Sequence, residues 1–479
     1  MFFNSFEYLL FLPLVFLLYF ITPDRFRWLL LLGASLLFYS SLQAWYLLAV
    51  LFAVALLSFI TGQLLGRAEK EVHKRRLLWC GILGNLAILI GMKYLPFLSE
   101  SAAFLSQFFD SQIQSPHVTL LVSIGVSYYV FQAISYLNDI YLEILQPEPH
   151  FGYFFLSLAF FPKLMQGPIE RSGDLLPQLK QPYVFNYDNM RSGALLFATG
   201  LFKKVVIADR LGIYVEAVYG DLGSYSGLPL IMATYVYAFQ IYFDFSAYTD
   251  MARGAARLFN INLTENFNGP YLATSVADFW RRWHITFSRW ILDYIFKPLQ
   301  MRWRNLMNMG TAAALLVTFF VSGLWHGAGW GFIVWGLLHG LYMGCSIFYR
   351  PYQKRLHKRL GINKTKRLKI WQVIVTFNLI SFAWIFFRAE TISDAVYIVT
   401  HLFSFVGNQN LLFSGFREFE LTMVLLGVIS YHGCRYVYTH KIDLFEQNFW
   451  LRWGIYSYIC LFTALFCVKT ASGFIYFGF

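Results

Sequence analysis

Apolar residues gather along this chain into runs near the 20-residue length that a spanning helix needs, separated by short polar loops. The segments so marked are 6–22, 28–44, 46–65, 78–97, 118–144, 151–167, 192–209, 228–248, 310–326, 330–348, 370–387, 420–437 and 452–469. Some are short or interrupted, so the pattern predicts an all-α polytopic membrane protein of about 11 to 13 embedded helices. Re-entrant or half-spanning pieces are expected among them. Non-helical backbone at membrane depth is tolerated only inside protein or beside water, which implies a deep cavity. The stretch 266–309 breaks the pattern. Its core, "DFWRRWHITFSRWILDYIFKPL", alternates aromatic and basic residues without a long apolar run. It reads as amphipathic interfacial helices near the cytoplasmic surface.

Composition strengthens this picture. Of the 479 residues, 58% are hydrophobic and only 13% charged, where a soluble chain carries about 25% charged residues. The length alone would suggest several soluble domains. No soluble-looking stretch or linker supports that count, so residues 1–479 are expected to form one integral-membrane domain, with a core over about 120–345. The N-terminal run lacks a basic leader region and a small-residue cleavage site, and reads as a retained first helix.

The net charge of +12 would fit nucleic-acid binding, but the basic residues sit between apolar runs, as the positive-inside rule places them. "RAEKEVHKRR" at 67–76 carries five, and the stretch 349–369 carries nine with no acid. Both are expected on the cytoplasmic side. Residues 94–162 hold no Lys or Arg, so the loop around 98–117 is expected outside. Counting helices then puts both termini, and 388–419, outside. The five cysteines form no CxxC or Cys/His pattern, and no disulfide framework is expected.

Three histidines stand in apolar or aromatic surroundings. His326 lies in "LWHGAGWGF", between Trp325 and Gly327, with Gly329 and Trp330 close behind. Ionisable groups in membrane segments are rare and mark function. The glycines admit either close approach of a ligand or plain helix packing. His339, on a continuous helix, would lie about 20 Å further along, too far to share a metal with His326. Ser322 precedes His326 by one turn and admits a nucleophile reading, though such hydroxyls commonly bond back to their own helix. His284 sits among Trp280, Trp283 and Trp290, as in an interfacial aromatic belt. Arg281 and Arg282 fit either lipid headgroups or a phosphate-bearing ligand. Asp250 could pair with Arg253 at i,i+3, closing a helix end. Few charges are expected centrally. Walker, GxGxxG, HExxH and GxSxG patterns do not occur, so ATP-driven transport, dinucleotide chemistry, zinc proteolysis and ordinary serine hydrolysis lack support.

An ordered set of motifs resembles the membrane-bound O-acyltransferase family, in the bacterial branch that includes the alginate O-acetylation membrane protein. They include "KYLPF" at 93–97, "SYYVFQAISYLNDIY" at 127–141, "FPKLMQGPIERSGDLLPQL" at 161–179 and "GLFKKVVIADRL" at 200–211. "FDFSAYTDMARGAARLFN" at 243–260, the 278–299 stretch, "LWHGAGWGFIVWGLLHG" at 324–340 and the terminal "FIYFGF" continue the series. Two places depart from the family pattern: Gln300, where glycine often follows Pro-Leu, and Gly478, where glutamine is common.

The resemblance implies a helical bundle around a central tunnel, with interfacial and re-entrant helices. It implies that His326 is the catalytic histidine and His284 a second one across the tunnel. Trp325, Trp283, Arg281, Arg282, Asp250 and Ser322 are the expected substrate-contacting residues, with no metal and no bound cofactor. The donor would be acetyl-CoA or another cytoplasmic acyl thioester. The acceptor would be an extracytoplasmic polysaccharide such as alginate, reached through an extracytoplasmic partner protein, in the bacterial inner membrane. Acyl transfer to a hydroxyl needs a base, and apolar surroundings favour the neutral imidazole that can serve. Teichoic-acid D-alanylation from a carrier protein is the alternative within the family. A transporter or channel is the alternative outside it.

Overall fold

The structure, a computed structural model, describes residues 1–42, 44–99, 124–363, 365–404, 448–466 and 474–475. The expected segment 420–437 lies outside the described residues, as do parts of 28–44, 118–144, 452–469, the stretches 98–117 and 388–419, and most of the C-terminal motif. All regular structure among the described residues is helical.

Helix α1 (Phe6–Ile21) starts on Ser5, whose hydroxyl accepts the Tyr8 N–H. Phe6, Leu10, Leu14, Leu17 and Ile21 form an exposed stripe down one side of it. An apolar face of that size left open is what a lipid-facing helix presents. Then follow α2 (Asp24–Ser40), α3 (Tyr46–Arg67) and α4 (Glu71–Lys93). Helices α3 and α4 are long and apolar enough to cross a membrane. They pack on α5 (Val126–Tyr141), whose residues are almost all buried.

The expected segment 151–167 is only half helix. Helix α6 (Phe151–Ala159) stops, and residues 160–170 run as buried, non-helical backbone. Pro162 pushes the residue before it away from helical dihedrals. A Cβ at Gly167 would fall 2.2 Å from the Lys163 Cα, so the turn closes on glycine. This is the interior irregular backbone that the interrupted segments foretold.

After α7 (Ser172–Lys180), helix α8 (Tyr187–Phe202) passes through a π-helical stretch, Lys203–Ala208, into α9 (Asp209–Tyr219). Helix α10 runs from Leu228 to Leu258, ten residues past the expected end at 248. Asp244 and Asp250 are therefore interior to it. Gly193 of α8 and Gly254 of α10 let these helices touch backbone to backbone: each missing Cβ would lie under 3 Å from the other glycine's carbonyl oxygen.

The 266–309 stretch is a chain of short helices: α11 (Val276–Trp280), α12 (Ile285–Ile291), a π-turn at Leu292–Phe296 and α13 (Lys297–Arg302). Its first half does not lie on the surface. Phe279, Trp283, His284 and Phe287 are fully buried.

Helix α14 (Met307–His326) and helix α15 (Trp330–Arg359) form a hairpin about the short turn 327–329. The expected loop 349–369 is mostly helix. Helix α15 carries Arg350 to Arg359 outward, the turn spans 360–365, and α16 (Lys366–Arg388) follows. Two more helices are α17 (Ile392–His401) and α18 (Phe449–Phe466). Glycines let the hairpin close: a Cβ at Gly336 would sit 2.3 Å from the Phe319 carbonyl oxygen, and one at Gly323 2.3 Å from that of Phe332. Gly336→Ala must therefore move backbone. We expect a destabilisation of about 1–3 kcal/mol, read as a lower thermal midpoint of the detergent-solubilised protein; an unchanged midpoint would contradict the close packing.

Three buried apolar clusters make up the core. One joins α3–α6 to Phe287, Trp290 and Trp325. A second joins α8–α10 to Trp283, Trp335, Trp384 and Phe387. A third packs α1 and α2 against the Phe160–Met165 turn and the C-terminal half of α10.

Candidate active site

His326 is the last residue of α14, and its side chain is buried. Its ring meets Trp335 at 4.8 Å and Phe387 at 5.2 Å on one side, and Trp325 at 4.8 Å and Phe287 at 5.6 Å on the other. The first pair belongs to one apolar cluster and the second to another. The histidine thus stands on the seam between two packed bodies.

A helix ends with carbonyls that have no partner within the helix. Here they are taken up from α4. The Lys93 ammonium donates to the carbonyl oxygens of Trp325 (2.9 Å) and His326 (3.0 Å), and the Tyr94 hydroxyl to that of Leu324 (2.6 Å). A cation at this end also complements the helix dipole. In the sequence Lys93 stands out only as the first residue of "KYLPF". The signal was present: a lysine inside the expected segment 78–97.

His284 is the residue before α12, at its N-cap, and lies in the left-handed region with φ 41°. Its ring lies 5.1 Å from Phe287 and 5.9 Å from Trp325. The two histidines therefore share the same two aromatic neighbours. Its Nδ1 faces Asn266 Oδ1 at 3.2 Å.

The other expected residues divide. Trp325 stands between both histidines. Ser322 is fully buried, and its hydroxyl has no hydrogen-bond partner among the described residues, neither His326 nor its own helix. Trp283 is buried among Phe267, Phe279 and Trp384, packed in the core rather than beside His326. Arg281 is exposed, 3.6 Å from Asp278, and Arg282 donates to the same carboxylate at 3.1 Å. Burial alone would raise the Asp278 carboxyl, but the Arg282 hydrogen bond, the Thr274 N–H and Arg281 hold it below its usual range. Both arginine side chains turn back to Asp278 of α11, and among the described residues neither makes a hydrogen bond or ion pair with His284 or His326. Asp250 makes the expected i,i+3 pair with Arg253 at 3.8 Å, interior to α10 rather than closing its end, and a shorter one at 2.6 Å with Lys203 of the π-helical stretch.

Around His326 the glycines serve packing. The Phe332 ring occupies the space beside Gly327, 2.1 Å from where a Cβ would be. Trp330 points outward, more than half exposed. The turn at 327–329 also overturns the continuous helix assumed for the spacing to His339. On the folded-back α15, Trp335 lies 4.8 Å from the His326 ring and 4.9 Å from the His339 ring. His339 Nδ1 accepts the Trp280 indole N–H at 3.1 Å, a packing contact.

Buried charge is more abundant than the sequence reading allowed. Lys93, Lys163, Lys203 and Lys204 are all buried, each inside an expected apolar segment. Lys163 donates to Gln132. Lys204 sits between Asp244 (2.7 Å) and Asp209 (2.8 Å). These cations are matched to acids and carbonyls, as burial requires.

The profile of the membrane-bound O-acyltransferase family matches residues 142–389. A peptidoglycan O-acetyltransferase of Helicobacter pylori is 34% identical over 81% of this chain and 77% of its own length. A protein of Azotobacter vinelandii named "Probable alginate O-acetylase AlgI" is 33% identical over 90% of this chain and 85% of its own. A teichoic acid D-alanyltransferase of Bacillus subtilis is 25% identical over 71% and 84%. With the helical architecture, the apolar spans and matches of this extent, the chain belongs to the membrane-bound O-acyltransferase family and is an O-acyltransferase.

Proposed function

We propose that this enzyme moves an acetyl group from a cytoplasmic thioester, acetyl-CoA, to a hydroxyl of an extracytoplasmic polysaccharide, with His326 as general base. The observation that carries the reading is the placement of His326 and His284 against the same two rings, Phe287 and Trp325, in a buried site. His326 takes the proton of the acceptor hydroxyl as its oxygen attacks the thioester carbonyl carbon. The C–O bond forms, the C–S bond breaks, and the proton passes to the leaving sulfur as free thiol. An apolar wall keeps competing water from the thioester. His284 orients one substrate. Two relatives above 30% identity, those of Helicobacter pylori and Azotobacter vinelandii, bear O-acetylation names, for peptidoglycan and for alginate. That favours acetyl, and leaves the acceptor as a glycan of the cell surface, in a single-domain protein of the bacterial inner membrane with both termini outside. Where an extracytoplasmic partner protein relays the group, the hydroxyl that attacks the thioester is the partner's, and the partner passes the acetyl on to the glycan.

The test is incubation of the purified protein in lipid with acetyl-labelled CoA, or with a D-alanyl-charged carrier protein, beside glycan acceptors and extracytoplasmic partners. We expect label on glycan or partner from acetyl-CoA alone. Transfer only from the charged carrier would replace this reading with D-alanylation.

A further inference from the structure

Resting on the reading above, we infer that Asn266 is a positioning residue that fixes His284 as its Nδ1–H tautomer and leaves Nε2 to accept a hydrogen bond from a substrate O–H or N–H.

The argument turns on which atom of Asn266 faces the ring. Its Oδ1 lies 3.1 Å from the Thr286 backbone nitrogen, and a backbone N–H can only donate. The Thr286 hydroxyl lies 3.0 Å from the same oxygen. That hydroxyl already accepts the Ile169 N–H at 3.0 Å, so its proton is free to go to Asn266. Two donors thus converge on this atom, and a flipped amide would set its NH2 against a backbone N–H. The atom is therefore the oxygen. His284 Nδ1, 3.2 Å from it, must carry a proton. Neutral imidazole carries one N–H, so Nε2 holds a lone pair.

That lone pair is buried, and Nε2 has no hydrogen-bond partner among the described residues. Four aromatic rings surround the imidazole: Phe245 at 4.8 Å, Phe287 at 5.1 Å, Trp325 at 5.9 Å and Tyr128 at 6.3 Å. A buried acceptor without a partner is costly, and the left-handed backbone at His284 adds local strain. The surroundings over-determine both. Ile285 N–H donates to the Asn266 carbonyl at 3.0 Å, and Asn268 N–H to that of Arg282 at 2.9 Å, stitching 266–268 to 282–285. His339 offers the contrast in tautomer: its Nδ1 accepts the Trp280 indole N–H, so its proton sits on Nε2, which also has no hydrogen-bond partner among the described residues. His284 is held the other way round, with Nδ1 donating and Nε2 presented. The group that completes it is a hydrogen-bond donor, such as the acceptor's hydroxyl or an amide N–H of the thioester's arm.

Nitrogen-15 spectra of histidine-labelled protein in lipid read the tautomer without reference to activity. The His284 signals, identified by their loss in H284N, should show a protonated Nδ1 and a bare Nε2; a protonated Nε2 overturns the inference. Kinetics read its use. N266A should lower kcat about tenfold or more, with the KM for acetyl-CoA changed far less. N266D keeps an acceptor for Nδ1–H and adds negative charge, which stabilises imidazolium. It should recover most of kcat at alkaline pH and shift the acidic limb of the pH profile upward. Equal losses in N266A and N266D, or a profile that N266D does not move, overturn the positioning role. Absence of acetyl transfer by the unaltered protein would instead defeat the function proposed above, and the spectra would still decide the tautomer.

Discussion

Alanine at His326 should abolish acyl transfer while leaving the protein folded and in the membrane. Losing a general base lowers the rate by about 10²- to 10⁴-fold. The fold should survive for a reason specific to this site. The end of α14 is held through main-chain carbonyls, which Lys93 and Tyr94 engage whatever side chain stands at 326. The variant removes one ring from between Trp325, Phe287, Trp335 and Phe387 and leaves the cap in place. The measurement is label transfer from acetyl-CoA by matched amounts of extracted protein, with elution profile and thermal midpoint as controls. Activity within tenfold of the unaltered protein, at normal folding, would remove His326 from the chemistry. His339→Ala is the informative companion. It loses the Trp280 hydrogen bond inside the same aromatic mass, and should lower the thermal midpoint more than it lowers transfer per folded molecule.

Lys204→Met should do the reverse and stop the protein from accumulating at all. Its ammonium lies between the carboxylates of Asp244 and Asp209, and all three side chains are almost wholly buried. Asp244 also accepts the Ile475 N–H at 2.8 Å, so the group ties α10 to a segment near the C-terminus. Removing the cation leaves two buried carboxylates facing each other. Stranding a buried charge costs about 3–5 kcal/mol, a large share of the 5–15 kcal/mol or so that holds a domain together. Fluorescence-detected size exclusion of a tagged protein should show loss of the monodisperse peak. The double variant Lys204→Met/Asp244→Asn should recover part of it, because it removes one of the stranded charges. A single variant with normal yield and midpoint would show that the cluster is dispensable.

The apolar runs were legible because membrane burial imposes one length and one chemistry on a segment. Their ends were less so. Helix α10 continues past 248 because Asp250 finds Lys203, a partner 47 positions away that no local pattern announces. The basic stretch after 348 continues α15 because charged side chains suit an exposed helix as well as a loop. Among the candidate residues, His326, His284 and Trp325 come together in space. The arginines at 281 and 282 were drawn in by their neighbours in sequence, yet α11 turns them to Asp278. Asn266 and Lys93 escaped notice because their work is done through atoms of other residues: a ring nitrogen in one case, main-chain carbonyls in the other. An asparagine in a loop has no periodicity to betray it. A lysine in an apolar run does break its pattern, and four such lysines prove to be buried.

His326 touches Trp335 and Phe387 from one packed body, and Trp325 and Phe287 from another. Helix α14 supplies Leu315 and Phe319 to the first cluster and Trp325 to the second, so the two are tied through its backbone as well as through His326, and well-packed interiors of this kind are stiff. The position of the base is then set by the side chains of both clusters at once. Small changes of bulk at any of these four rings should appear first in the rate, while both bodies remain intact. A ligand wedged at this boundary could silence the enzyme without occupying the place of either substrate.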